Sequence, residues 1–507
     1  MSDNHLFSAL ASAAPSLDKK LALLADGSAV TYGEMLALSA RLAGLLVARG
    51  VKPGDRVAVQ VEKSWPCLAL YLATVRAGAV YLPLNTGYTL NEVRYFLGDA
   101  EPALFVCRPE IEAEARALAG ELGVAGVETL DGEGAGSLMD AAAGFPSDFD
   151  DVPRGPDDLA AILYTSGTTG RAKGAMLSHG NLLSNAQVLK DCWRFTEADV
   201  LIHALPLFHT HGLFVAVNIV LLSGASMFFR AKFDPREAIE LMGRATCLMG
   251  VPTFYTRLLD QPGLTREATA QMRLFVSGSA PLLEETHRAF RERTGHAILE
   301  RYGMTETCMN TSNPYEGERI AGTVGMPLPG VSVRITDPTT GAELPAGEIG
   351  MVEVKGPNVT KGYWRMPEKT ASEFHDGFFM TGDLGLIDGR GYLSIVGRGK
   401  DLVITGGFNV YPKEVEGEID AIDGVVESAV IGVPHPDFGE GVTAIVVKGK
   451  GADLTEQSIL QALEGRLAKF KQPKRVFFVE ELPRNTMGKV QKNILRDSYK
   501  DLYRRSA

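Results

Sequence analysis

The run Tyr164-Thr165-Ser166-Gly167-Thr168-Thr169-Gly170-Arg171-Ala172-Lys173-Gly174 concentrates hydroxyls, glycines and a lysine in a short stretch. Glycines let a backbone turn several N–H groups toward one point, and hydroxyls add further donors. Lys173 adds a full positive charge, so the stretch suits a polyphosphate. The common nucleotide loop ends in Gly-Lys followed by Ser or Thr, whose hydroxyl holds magnesium. Here Gly174 follows Lys173 and no glycine–lysine pair stands at the needed distance from Gly167, so that pattern is excluded. A flexible Ser/Thr/Gly linker does not ordinarily follow an apolar strand such as Leu159–Tyr164 and close on Lys-Gly.

Five other stretches carry residues able to do chemistry. In Glu300-Arg301-Tyr302-Gly303-Met304-Thr305-Glu306, Tyr302 offers a π-face for a base, and Thr305 and Glu306 offer hard oxygens for magnesium. Ser277-Gly278-Ser279-Ala280-Pro281 is a strand-to-loop turn whose small residues let a flat ligand lie against the backbone. Pro206-Leu207-Phe208-His209-Thr210-His211-Gly212 holds two histidines. They could ligate a metal, but no second ligand pair is near in sequence, and histidines satisfied in a core turn are the alternative. Pro483-Arg484-Asn485-Thr486-Met487-Gly488-Lys489 ends on a lysine that, in a basic stretch, would ordinarily be a solvated surface residue. Asp383 in Thr381-Gly382-Asp383-Leu384-Gly385 would by itself be read as a turn former.

Taken together and in their order along the chain, the motifs resemble those of the acyl-adenylate-forming superfamily, which contains acyl-CoA synthetases, luciferases and peptide-synthetase adenylation domains. The resemblance covers nearly the whole chain, from about residue 20 to about residue 500. It implies ATP, Mg²⁺ and coenzyme A as the small molecules used. It places Thr165, Ser166, Gly167, Thr168, Thr169, Gly170 and Lys173 on the outer phosphates of ATP. Ser277, Gly278, Ala280, Glu300, Arg301, Tyr302, Gly303 and Thr305 are further ATP-binding positions, with Asp383 and Arg398 on the ribose. Thr305 and Glu306 are the implied metal ligands. Lys489 is the implied catalytic lysine, also touching ATP, with His209 and Glu306 as further catalytic residues. Gly406 and Gly407 fall at the coenzyme A position, and Lys400 falls at the hinge.

Residues 301–315 together with 209–214 narrow the resemblance to the malonyl-CoA synthetases. This implies malonate, and also methylmalonate, as the acid, contacted by His209, Thr210, Ser277, Met304 and Met309. Arg257 lies one turn after Thr253 on the same face of a predicted helix. A guanidinium beside an acyl pocket makes sense if the acid bears a second carboxylate, which it can pair through two hydrogen bonds. The alternative is a surface arginine on an amphipathic helix. The chain departs from the family pattern at Cys308, where asparagine is expected. The activity implied is an ATP-dependent ligase forming malonyl-CoA, AMP and pyrophosphate.

The elements that must position these residues follow from periodicity. Tyr32–Arg49 and Cys67–Ala77 have helical apolar spacing, while Arg56–Val61 and Gly78–Leu84 read as strands. This βα alternation predicts an α/β protein with a large N-terminal domain of mixed sheets flanked by helices. A small mobile C-terminal α/β lid domain follows by resemblance. The expected boundary is 1–399 for the adenylate-forming domain and 400–507 for the lid. Length alone suggests roughly three units.

The formal charge of −11 argues against a nucleic-acid surface, which needs a basic face. No Asp, Glu, Lys or Arg occurs from Leu201 to Phe229, but Pro206, His203, His209, His211 and Asn218 break the stretch. We read it as a buried helix followed by a core strand, with no membrane partner. Five scattered cysteines and the absence of a secretory start fit free thiols in the cytoplasm. No carrier segment follows Lys489, so a carrier protein is not expected in place of coenzyme A.

Overall fold

Helix starts are written locally. Thr31, Thr89 and Ser178 cap the helices Tyr32–Ala48, Leu90–Ala100 and His179–Cys192, and in each case the third helical residue bonds back to the cap. Strand interiors are equally explicit. Every residue of Val80–Pro83, Leu104–Cys107, Cys247–Gly250 and Leu274–Ser277 is buried, which is why these strands read as unbroken apolar runs. The computed structural model describes residues 3–165, 172–406, 408–485 and 488–503. They form two compact units, Met1–Ser332 with Val354–Phe379, and Val333–Glu353 with Met380–Ala507.

The first unit contains two sheets. One has six strands in the order Gly126–Thr129, Leu104–Cys107, Arg56–Gln60, Val80–Pro83, Leu159–Thr165 and Lys173–Ser178. It is parallel except for the last pair. The other has nine strands, with Leu299–Met304, Leu274–Ser277, Cys247–Gly250, Val200–His203 and Ser226–Phe229 running parallel through its middle. In parallel α/β sheets the loops at the carboxyl ends of the strands form the ligand crevice. Those ends are His203, Gly250, Ser277 and Met304.

The second unit also has two sheets. One is carried by Ser332–Thr336, Gly350–Lys355, Phe378–Ile387 and Leu393–Arg398. The other orders Phe408–Val410, Val403–Thr405, Gly439–Lys448 and Val425–His435, with Arg475–Val479 pairing alongside Gly439–Lys448. Its core gathers Val415 and Ile419 from the helix Pro412–Asp420, Val430, Val442 and Ala444 from the sheet, and Ile459 and Leu463 from the helix Glu456–Leu463.

After the glycine-rich stretch comes the antiparallel strand Lys173–Ser178, too short and mixed to show a period of two. The segment 113–144 contributes the edge strand Gly126–Thr129. The uncharged stretch resolves into the strand Val200–His203, a π-helical turn His211–Val217, the helix Asn218–Ser223 and the strand Ser226–Phe229. Among the described residues no helix is long and apolar enough to cross a membrane. All five cysteines are unpaired. Length suggested about three units and the chain makes two, because both large sheets belong to the first.

Candidate active site

Thr165 ends one strand of an antiparallel hairpin and faces Lys173 on the next. Ser166, Gly167, Thr168, Thr169 and Gly170 lie outside the described residues. The hairpin nevertheless meets the second motif. Thr165 Oγ1 donates to Glu306 Oε1 at 3.2 Å, and Tyr363 OH donates to the same oxygen at 3.0 Å. Lys173 is buried, with its ammonium 4.3 Å from the centre of the Tyr363 ring and 3.4 Å from Glu373 Oε1. The half-buried Thr305 precedes Glu306. Among the described residues no group of three acidic, histidine or cysteine ligands could hold a metal by itself. A lone carboxylate fits Mg²⁺, which takes most of its ligands from phosphate oxygens and water.

The carboxyl ends of the central strands bring together the acid-site candidates. Arg301 is 3% exposed, and its Nε and Nη2 are buried without a partner. Burial pushes its pKa down to about 9. The guanidinium lies against the Ser277–Ala280 turn: a Cβ added to Gly278 would stand 2.4 Å from Arg301 Cζ. The small residues of that turn, expected to admit a flat ligand, thus make room for a protein cation. Thr210 Oγ1, His211 Nε2 and Ser277 Oγ are also buried without partners. Natural interiors rarely leave such atoms unpaired, and a bound ligand, ion or water is one way to satisfy them. Burial, then the Arg301 cation, pulls the His209 pKa down to about 4 and that of His211 well below the usual histidine value. Both rings are therefore neutral near pH 7.

Met309 is buried and gripped by Asn185, which accepts from its N–H at 3.2 Å and donates to its carbonyl at 2.8 Å. Gly303 sits opposite Met309 and Met304 opposite Cys308 in the hairpin of Leu299–Met304 with Cys308–Ser312. Tyr302 and Met304 are half-buried, Ala280 closes the small-residue turn, and Glu300 lies 3.7 Å from His287 Nδ1. Cys308 adopts φ +49°, a region asparagine visits more readily. Burial raises its thiol to about 12, so it is no thiolate near pH 7.

Arg257 departs from its expected setting. It is exposed on the helix Pro252–Leu259; helical spacing put it on Thr253's face but did not say whether that face is buried. The environment predicted for it, an unpaired cation out of water, is found at Arg301 instead. Two further residues escaped the sequence reading. His203 Nε2 lies 2.8 Å from the Gly212 carbonyl, which can only accept, so the ring proton sits on Nε2. His203 Nδ1 then accepts from Lys63 Nζ at 2.7 Å, while the same amine reaches the His203 and Leu205 carbonyls at 3.0 and 2.9 Å. Lys63 thereby ties down the start of the loop that carries His209 and Thr210. No local pattern could join residues 140 positions apart.

In the second unit, Asp383 and Arg398 face each other across paired strands, with Arg398 Nε 2.6 Å from Asp383 Oδ1. Asp383 is buried. Lys400 lies exposed in the short turn Gly399–Asp401 between two strands. Lys489 keeps solvent access, yet enough protein crowds its amine for desolvation, followed by the nearby Arg398 cation, to lower its pKa. Asp383 acts in the opposite direction. Gly406 has φ +58° and donates its N–H to the Phe438 carbonyl at 2.8 Å. Gly407 lies outside the described residues.

A phosphate-type hairpin, a Tyr-Gly-Met-Thr-Glu strand end and a second unit bearing Asp383, Arg398 and Lys489 are the parts of an enzyme that handles a nucleotide. The chain belongs to the AMP-binding enzyme family, which matches residues 10–364, and the C-terminal domain of that family matches residues 414–489. The crystal structure of ATP-bound MatB from Rhodopseudomonas palustris is 64% identical and superposes with a TM-score of 0.97. That match covers 99% of this chain and 100% of the other. The malonate–CoA ligase of Arabidopsis thaliana is 32% identical over 555 residues, covering 98% of this chain and 90% of that protein. A feruloyl-CoA synthase of an Amycolatopsis species is 38% identical over 477 residues, 93% of this chain and 94% of its own length.

Proposed function

We propose that this chain is an AMP-forming ligase that joins malonate, and also methylmalonate, to coenzyme A through an acyl-adenylate. The observation that carries the choice of a diacid is Arg301, a buried guanidinium with two unpartnered N–H groups that lies near His209 and His211 and against Gly278. A pocket for a hydrocarbon tail gains nothing from such a cation, whereas a second carboxylate pairs it. Arg257, exposed on the helix Pro252–Leu259, is the solvent-side candidate for the same carboxylate.

A free carboxylate is a poor electrophile, so the acid is activated first. One of its oxygens attacks the α-phosphorus of ATP in line; the new P–O bond forms as the bond to the β-phosphate breaks, and pyrophosphate leaves with the electron pair. The protein's task is to hold several anions together while charge builds on the phosphorus oxygens. We assign Lys489 the task of bridging the reacting carboxylate and the α-phosphate. Thr165, Lys173 and the stretch Ser166–Gly170 take the outer phosphates, with Tyr302, Gly303, Glu300, Ala280 and Gly278 on the adenosine side and Asp383 with Arg398 on the ribose. Magnesium, when bound, offsets phosphate charge, and Glu306 with Thr305 are the side chains that would hold it. The neutral His209, with Thr210, Met304 and Met309, shapes the acid pocket.

In the second half-reaction the coenzyme A thiol loses its proton and its sulfur attacks the anhydride carbonyl. The C–S bond forms, the bond to AMP breaks, and AMP leaves. We assign Lys400 as the hinge of this switch: residues 400–507 turn about it, withdrawing Lys489 and bringing Gly406 and Gly407 to the anhydride. Unpaired cysteines suit work in a reducing cytoplasm.

The test is acid-dependent pyrophosphate release with ATP, Mg²⁺ and coenzyme A, comparing malonate, methylmalonate, acetate and a medium-chain acid. Thioester products are checked by mass. Turnover concentrated on the two diacids is the expected result. Preference for acetate or the longer acid would overturn the assignment of Arg301 while leaving acyl adenylation in place.

A further inference from the structure

The lysine assigned to adenylation stands on a short hairpin that holds itself together. Arg484 and Val490 bridge antiparallel. Asn485 clamps the backbone of Lys489 from both sides: its N–H donates to the Lys489 carbonyl at 3.0 Å, and its Oδ1 accepts the Lys489 N–H at 2.9 Å. Arg484 Nη1 adds a bond to the Gly488 carbonyl at 2.5 Å. These contacts fix the hairpin's shape but not where it points.

Direction comes from charges on a helix and a strand elsewhere in the same unit. Glu416 and Asp420, one turn apart on the helix Pro412–Asp420, and Glu427 on the strand Val425–His435 form an acidic group. Arg484 Nη2, on one arm of the hairpin, bonds Glu427 Oε2. Lys492 Nζ, just past the other arm, lies 2.5 Å from Glu416 Oε1. Glu416 is buried, and the same oxygen accepts the N–H of the buried strand residue Val430 at 2.8 Å, so its carboxylate cannot swing. Asp420 accepts from Ser428 Oγ at 2.7 Å and so helps tie helix to strand. Beyond the hairpin, Arg496 pairs with Asp401 in the turn that carries Lys400. Partly buried pairs of this kind are less screened than open surface pairs and hold geometry better.

We propose that Glu416 and Glu427 are positioning residues for Lys489: through Lys492 and Arg484 they fasten both arms of its hairpin to one rigid helix–strand pair. Neither touches substrate. Their effect falls on the half-reaction that needs Lys489 in place, because a misplacement of about 1 Å can cost on the order of 100-fold in rate. This rests on the reading of Lys489 as the adenylation lysine, so the experiment must let the two ideas fail separately.

The full-length protein is measured in two assays: malonate-dependent exchange of pyrophosphate into ATP, and conversion of supplied malonyl-adenylate with coenzyme A to thioester. The variants are Glu427→Gln, Glu416→Gln and, as reference, Lys489→Ala. Gln at 416 keeps an acceptor for the Val430 N–H while removing the charge. We expect Lys489→Ala to abolish exchange, and each Gln variant to slow it roughly 10- to 100-fold while thioester formation stays within about twofold. The charge swap Glu427→Arg with Arg484→Glu should recover exchange relative to Glu427→Gln.

Equal loss of both half-reactions would reduce the pairs to general support of the fold and overturn the proposal. Unchanged exchange in the Gln variants, with Lys489→Ala inactive, would overturn it while leaving Lys489's role intact. Exchange surviving Lys489→Ala would remove that role and the proposal with it. If Glu416→Gln fails to fold, Glu427→Gln and the swap decide alone.

Discussion

The proposed acid pocket of the first unit and the proposed lysine hairpin of the second hold their cations in opposite ways. Arg301 projects from a strand that pairs in parallel with Leu274–Ser277 and antiparallel with Cys308–Ser312, is 3% exposed, and has donors left over. Packing fixes it, and desolvation makes it costly unless an anion arrives. Lys489 stands on an accessible hairpin whose backbone is clamped by Asn485 and whose arms are held by ion pairs. The first arrangement selects a ligand through the penalty of leaving a charge alone. The second lets a charge be delivered by an element that is fastened electrostatically. On the proposed reading, the cation used for recognition is held by burial, whereas the one needed for a single step is held by a hairpin fastened through ion pairs.

The sharpest way to break this comparison is to remove each cation. Lys489→Ala should lower malonate-dependent pyrophosphate exchange by about 1,000-fold or more while sparing thioester formation from supplied malonyl-adenylate, since only the first step builds charge on the α-phosphate. Arg301→Met should lower kcat/KM for malonate about 100- to 1,000-fold, the scale of a truncated buried charge pair, and should spare or improve use of propionate. Steady-state kinetics on both acids checks this. Gly278→Ala, which drives a methyl group into the guanidinium, should act in the same direction. Arg257→Leu is expected to cost malonate only about tenfold or less, because an exposed ion pair contributes little. An Arg257 effect larger than that of Arg301 would reverse the assignment of the two arginines.

The smallest effect concerns stability. Burial, against the hydrogen bond from Ser428, raises the Asp420 pKa from 3.8 to about 7. The native state therefore holds a proton that the unfolded chain has released, and stability falls as pH rises from about 4 through 7. Denaturant unfolding followed across that range should show the decline, and Asp420→Asn should flatten it.

Much of the proposed site was legible before any fold was known. Thr165, Lys173, Glu306 and Tyr302 are recognisable because phosphates, magnesium and a base each demand a residue type with little choice, and turns display them in contiguous runs. The helix starts and the all-buried strands were legible for a similar reason, since capping and apolar continuity are local. Three things were not. Helical spacing gave Arg257 a face without saying that the face is exposed. Arg301 looked like one more residue of a nucleotide motif. Lys63 and His203 showed no signal at all.

What the sequence by itself determined, then, is the chemistry available and the α/β class. Donor-rich turns, a catalytic-type lysine and βα alternation are properties of short segments, set by backbone freedom, charge and periodicity. What only the tertiary structure decided is which cation loses its water and which charges hold which loop. Desolvation depends on every atom that packs around a group, and ion pairs such as Arg484 with Glu427 join residues 57 positions apart. Those quantities exist only once distant parts of the chain have been brought together.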